Sequence, residues 1–250
     1  MHCGETNIWH QLAGFLSIFL IMPASLADEE SHWSYSGADG PEQWDDLSPD
    51  NIMCSQGKNQ SPIDLSGTVD ADLPELDFNY ANPGRTGEIN NGHTIQINFK
   101  PCNFATISGQ QYEVIQGHFH SPSEHRVNGN LYPMEIHLVH ANEGGDLAVI
   151  GILFEEGEEN DLLNHLDSFR PTDMAPIATP IDYNELFTSR SEFFTYNGSL
   201  TTPPCSEGVL WTVMKNPLIA SKEQIERFHD AMGADTNRPV QPKNARVILE

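Results

Sequence analysis

Apolar and polar residues alternate with a period of two along much of the chain. His93, Ile95, Ile97 and Phe99 share one face of an extended segment, and Thr94, Gln96 and Asn98 take the other. Similar short segments predict strands over 111–119, 132–140, 147–154 and 209–215. Turn signals separate them: Asn128-Gly129-Asn130, Gly144-Gly145-Asp146 and Asn197-Gly198. Helical patterns are few, one over 160–169 and a stronger one over 221–232, where Ser221 and Gln224 form a capping-box signature ahead of Ile225 and Phe228. No repeat, low-complexity tract or Gly/Ser linker divides residues 28–250. The pattern predicts an α+β, β-dominated single domain: one large, mostly antiparallel twisted sheet flanked by short helices.

The first 27 residues break this texture. An uncharged apolar run over 12–22 is too short for a comfortable membrane span, which needs about 20 residues. Pro23 ends it, and Ser25-Leu26-Ala27 supplies the small residues of a cleavage site. Residues 1–27 are therefore expected to be a secretory signal and 28–250 the single mature domain, with no membrane anchor once the signal is removed. The segment ahead of the run has His2 and His10 but no lysine or arginine, unlike most such signals. Composition adds a constraint on partners. The formal charge of -24 repels phosphate backbones and anionic lipid headgroups, which argues against nucleic acid and membrane surfaces. Removing Cys3 with the signal leaves Cys54, Cys102 and Cys205, an odd count that suggests one disulfide and one leftover thiol. The sequence itself does not choose the pair.

The candidate chemistry lies in the placement of histidines. His118 and His120 are two apart on a strand and leave the same face, and an antiparallel return could bring His137 alongside them. Three neutral imidazoles with no fourth protein donor suit a catalytic zinc, which keeps one position open. An H-x-H pair alone is a weak signal. Gln116 precedes His118 by two and Glu135 precedes His137 by two, so each shares its histidine's face and could hold the ring in one tautomer.

These residues resemble the alpha-class carbonic anhydrase signature: Gln116-Gly117-His118-Phe119-His120, Ser123-Glu124-His125, and Met134-Glu135-Ile136-His137-Leu138-Val139-His140. The likeness continues in order through His32-Trp33-Ser34-Tyr35, Asn59-Gln60-Ser61-Pro62-Ile63-Asp64, Asn91-Gly92-His93 and Gly198-Ser199-Leu200-Thr201-Thr202-Pro203-Pro204. It ends in Asn237-Arg238-Pro239 and Gln241-Pro242-Lys243-Asn244, and so covers about residues 32–249.

The resemblance implies a sheet of about ten strands and reversible hydration of carbon dioxide to bicarbonate and a proton. It implies one Zn2+ per chain on His118, His120 and His137, with Gln116, Glu135 and the backbone carbonyl of Asn244 orienting the three rings. Zinc lowers the pKa of bound water to about 7, a value known from carbonic anhydrases themselves, and the resulting zinc-bound hydroxide attacks carbon dioxide. Thr201 would relay a hydrogen bond from that hydroxide to Glu124, and Thr202 would help place bicarbonate. Val139, Val149, Leu200, Val209 and Trp211 would form the apolar wall for the substrate. His93 would shuttle the proton outward, with Tyr35 and Asn91 holding ordered solvent along its path. A free histidine suits that task because its ordinary pKa is near 6.5. His125 and His140 are expected to hydrogen-bond within the core.

Secreted members of the family imply a Cys54–Cys205 disulfide, which leaves Cys102 as the unpaired thiol. They also imply a periplasmic or extracellular location, and bacterial members leave a homodimer open. A non-enzymatic relative kept for binding is the main rival, but such relatives typically lose zinc histidines that are all present here. An acidic mineral-binding protein would want a repetitive acidic tract, which this sequence lacks. Another metallohydrolase would want a general-base carboxylate beside the open position, where Glu124 is expected to be engaged by Thr201.

Overall fold

The computed structural model describes residues 32–80, 85–170 and 182–250. The expected signal over 1–27 lies outside the described residues.

Among the described residues, thirteen strands account for most of the regular structure. They are β1 (Asp64–Leu65), β2 (Asp77–Tyr80), β3 (Arg85–Asn90), β4 (Ile95–Phe99), β5 (Asn103–Ile107), β6 (Gln110–His120) and β7 (Arg126–Val127). After these come β8 (Asn130–Leu131), β9 (Met134–Ala141), β10 (Leu147–Glu156), β11 (Phe193–Ser199), β12 (Glu207–Met214) and β13 (Leu218–Ala220). Ten strands form one sheet with the path β11-β12-β10-β9-β6-β4-β3; β5 also pairs with β6, β2 with β5, and β13 with β10. Only the pairings of β10 with β12 and with β13 are parallel in this sheet. The expected β-dominated, mostly antiparallel sheet of about ten strands is what the chain forms.

Alternation along the central strands sorts side chains into two layers. Phe119 of β6, Ile136 and Leu138 of β9, and Ile150, Ile152 and Phe154 of β10 enter one large apolar cluster. Each such side chain contributes about 1.5–3 kcal/mol by leaving water. The neighbours between them, Val149 and Leu153 of β10 and Trp211 and Val213 of β12, enter a second cluster on the opposite face. Gln116, His118 and His120 also point to that second face, because a bulge shifts the β6–β9 register between Val114 and Gln116. Val114 and Phe119 both reach the first cluster although five residues apart, so the extra residue re-phases the strand.

The helical elements are short. The expected helix over 160–169 is instead a single turn, Asp161–Asn164, followed by a 3-10 turn, Asp167–Phe169. Leu163, Leu166 and Phe169, all buried, recur every three residues, which suits the 3-10 period better than 3.6. Lys222–Met232 is a helix with the expected capping box at Ser221 and Gln224, and it stops at Gly233, whose φ of 72° is the left-handed stop a glycine supplies. Gln224 also holds Asn160 and Asn164, which pins the preceding turn against this helix. Asn128 and Gly129, both at positive φ, turn the β7–β8 hairpin.

Candidate metal centre and its surroundings

The β6–β9 register sets His118 directly across from His137, and His120 across from Glu135. The three imidazole rings converge, with centroids 5.0 Å apart for His118 and His120, 5.3 Å for His118 and His137, and 4.6 Å for His120 and His137. One nitrogen of each ring donates to a fixed oxygen. His118 Nδ1 donates to Gln116 Oε1 (2.8 Å), His120 Nδ1 to the Thr236 carbonyl (2.5 Å) and His137 Nε2 to Glu135 Oε1 (2.9 Å). Those acceptors fix the tautomers and leave His118 Nε2, His120 Nε2 and His137 Nδ1 as free lone pairs. The potential ligand atoms of the three residues lie within 4.8 Å of one another.

Burial keeps these rings neutral. It depresses the pKa of His120 to about 4, holds His118 well below the ordinary 6.5, where His120 and His137 lower it further, and lowers His137 as well. Glu135 runs the other way: His125 and His137 outweigh its desolvation and hold its carboxylate well below the usual range. It is ionised, and each oxygen takes two N–H groups. Oε1 accepts from His125 and His137, and Oε2 accepts from the backbone of Glu124 and His125.

Glu124 stands beside the free nitrogens, its Oε2 3.6 Å from His120 Nε2 and 3.8 Å from His137 Nδ1. Its Oε1 accepts the backbone N–H of Arg238 at 2.8 Å. Burial pushes its pKa up to about 7, against the lowering effects of His137, the Arg238 N–H and a hydrogen bond with the Thr201 side chain. Thr201 is buried just after β11, while Thr202 is half-buried and its carbonyl receives the Cys205 N–H at 2.8 Å.

The five residues expected to form an apolar wall share one cluster. Val149, Val209 and Trp211 are buried in the second cluster, with Val139 and Leu200 half-buried against it. The Trp211 ring centroid lies 4.8 Å from that of His137, and its indole N–H donates to the Ser199 carbonyl.

His93 is half-buried in the turn before β4, and its ring stacks face to face on Trp33 at 3.8 Å and 7°. Burial, then the nearby His32, lowers its pKa below 6.5. Asn91 is exposed, and its side-chain oxygen accepts the backbone N–H groups of His93 and Thr94 (both 2.9 Å), so it shapes this turn. Tyr35 lies between the two regions, edge-on to Trp33 at 5.2 Å and to His120 at 6.3 Å. Burial, reinforced by Glu124, raises its phenol well above the ordinary 10, so it keeps its proton.

Two expectations are corrected. Asn244 does not orient His120. Its side chain donates to the Lys58 carbonyl, and the ring is met by Thr236, eight residues earlier, which also pairs with Ser121 through N–H to carbonyl and through its hydroxyl. The carbonyl reaches the ring because Ser121, next to His120, draws the Thr236 backbone alongside it. Cys102 is disulfide-bonded, not an unpaired thiol, and no described cysteine is free. The full sequence holds 4 cysteines, an even count.

Other placements agree with the sequence. Cys54 and Cys205 form the expected disulfide. His125 and His140 hydrogen-bond within the core, His125 to Glu135 and Tyr196, His140 to Tyr80 and the Leu138 carbonyl. Sequence reasoning missed Thr236, Arg238, and the buried pair Tyr196 and Ser61 that anchors His125. No spacing rule links these distant residues to the histidines. Trp33, Ser61 and Arg238 all stand in the quoted motifs, which mark the residues but not their contacts.

Fold and site together define a protein that gathers three outwardly held imidazoles on one face of a large β-sheet, beside a buried carboxylate and an apolar wall. The sequence model of the eukaryotic-type carbonic anhydrase family matches residues 39–250. Carbonic anhydrases of Neisseria gonorrhoeae and Klebsiella pneumoniae are 41% and 45% identical over 230 and 225 residues, covering 91% and 88% of this chain and 91% of each of those. The alpha-carbonic anhydrase of Thermovibrio ammonificans, solved in complex with sulfanilamide, superposes with a TM-score of 0.82 at 43% identity, over 88% of this chain and 99% of that one. The chain belongs to the carbonic anhydrase family. Membership makes it an enzyme and implies hydration of carbon dioxide. Among the described residues no helix is long and apolar enough to cross a membrane.

Proposed function

We propose that this carbonic anhydrase holds one zinc ion on His118 Nε2, His120 Nε2 and His137 Nδ1, hydrates carbon dioxide there, and exports the proton through His93. The observation that carries the metal is the buried His120 Nε2, which has no hydrogen-bond partner. A fully buried ring nitrogen without a partner is costly in a protein interior, and bonding to a metal relieves that cost. The donor set fits zinc: three neutral imidazoles, each fixed by an outer oxygen, with no fourth ligand grouped with them among the described residues.

Bound zinc would supply a Lewis acid that makes water a nucleophile near neutral pH, as is known for carbonic anhydrases themselves. The chain's own residues do the rest. Glu124, kept in place by Arg238 N–H, engages Thr201, so that the Thr201 oxygen is left to accept a hydrogen bond from the reacting water and to aim it. Val139, Val149, Leu200, Val209 and Trp211 offer a nonpolar surface suited to a nonpolar linear substrate, and Thr202 lies at its edge for bicarbonate. His93 accepts the departing proton at the mouth, with Tyr35 between it and the centre and Asn91 shaping the turn that carries it. The Cys54–Cys205 disulfide supports an oxidising compartment, in keeping with export to the periplasm or outside the cell.

Native mass spectrometry and stopped-flow hydration on the same samples test this reading. The wild-type chain carries one zinc and hydrates carbon dioxide; His118→Ala loses both. Hydration that persists without zinc would overturn the assignment.

A further inference from the structure

We infer that Gly151 is a positioning residue for the metal centre: the space left by its missing side chain seats the Glu135 carboxylate, and through Glu135 it sets where His137 stands. The inference rests on the zinc reading above. Gly151 lies in β10 between Val149 and Leu153, on the face whose other residues enter the second cluster. The strand pattern calls for an apolar side chain there. Glycine weakens a strand interior and, inside one, marks a close approach of another group. Its Cα partners are His137 on β9 and Val213 on β12.

A Cβ at Gly151 would lie 2.8 Å from Glu135 Oε1, 3.5 Å from Val213 Cγ2 and 3.7 Å from His137 Cδ2. Only the first contact is prohibitive. A carboxylate on a free side chain would swing aside, but this one cannot move without loss. Its Oε1 receives His125 Nδ1 (2.8 Å) and His137 Nε2 (2.9 Å), and its Oε2 receives the N–H groups of Glu124 and His125 (2.9 Å each). Displacing Oε1 therefore tilts the His137 ring and pulls on the backbone that presents Glu124. Gly151 is not among the positive-φ glycines, so its backbone accepts alanine and an added methyl acts through this contact alone.

Zinc affinity measured by chelator competition on four proteins tests the inference: wild type, Gly151→Ala, Glu135→Ala and the double variant. Gly151→Ala is expected to weaken zinc binding by about 10- to 100-fold, the range for loss of an outer partner of a metal ligand. On the Glu135→Ala background the same methyl displaces no oxygen and is expected to change affinity by less than about twofold. Equal losses on both backgrounds, or no loss on the wild-type background, would overturn the inference. Should Gly151→Ala fail to fold, recovery of folded protein in the double variant supports it, and failure of both overturns it. A wild-type chain that binds no zinc removes the metal reading and this inference together, whereas an unchanged Gly151→Ala removes the inference alone.

Discussion

Replacing Cys54 and Cys205 together by alanine should cost this protein more in stability than in activity. The bond closes a loop with a sequence separation of 151 residues. The chain-entropy relation assigns about 5 kcal/mol to a loop of that length, and removal of native disulfides typically costs 2–5 kcal/mol. A loss of about 3–5 kcal/mol is therefore expected, at the upper part of that range. The contacts around the site do not depend on the sulfurs. Cys205 N–H donates to the Thr202 carbonyl, Cys205 carbonyl accepts from Gln60, and Cys54 carbonyl accepts from Arg238, whose own N–H reaches Glu124. All of these are backbone groups at the two cysteines, so alanine keeps them and kcat/KM at 25 °C should fall by less than about tenfold. Urea unfolding of both proteins at equal zinc loading measures the first quantity, and stopped-flow hydration the second. A stability loss under about 1 kcal/mol would refute the reasoning, because the cross-link would then not be restricting the unfolded chain.

Three further predictions follow from the site and its charges. His93→Ala should lower kcat by roughly a hundredfold, the low end for a positioned acid–base group, while leaving kcat/KM nearly unchanged; added imidazole should restore it. In the wild type the kcat profile should have a midpoint below 6.5, since burial and His32 lower the His93 pKa, and a midpoint above 6.5 would contradict that placement. Acid should destabilise the fold through His140, whose pKa is lowered from 6.5 to about 4 by burial. The unfolded chain takes up this proton first, so stability is full above the unfolded pKa and falls progressively as pH drops from about 6.5 to 4, by about 3 kcal/mol from this group. Glu135, with its pKa held low, adds a further loss in the same direction below its ordinary 4.5, and denaturant titrations across that range read the slope. Asn244→Ala should leave zinc affinity unchanged, whereas Thr236→Val, which removes the hydroxyl that accepts the Ser121 N–H, should weaken it by up to about tenfold. The reverse order would restore Asn244 as the residue that orients His120.

The sheet was legible because period-two alternation is enforced wherever a strand separates two environments. Ile150 and Ile152 against Val149 and Leu153 show this on a single strand. The segments 132–140 and 147–154 nearly coincide with β9 and β10 for that reason, whereas the predicted helix over 160–169 is two short turns, because the buried Leu163, Leu166 and Phe169 recur every three residues. Within the site, local pairs were readable: Gln116 with His118 and Glu135 with His137 follow from two-residue spacing alone. The partners of His120 and Glu124 were not readable from spacing. Thr236 and Arg238 come from a segment more than a hundred residues away in the chain, and they act through a backbone carbonyl that any residue could supply and a backbone N–H that any but proline could. Gly151 was invisible for the opposite reason, since its contribution is an absent side chain.

The most direct test of the account is a zinc titration of the metal-free protein followed by stopped-flow hydration of carbon dioxide. The account predicts a rate that rises in proportion to added zinc and stops rising at one equivalent per chain. A rate already present before zinc is added, or one that stays at the uncatalysed level when one equivalent is bound, would contradict it.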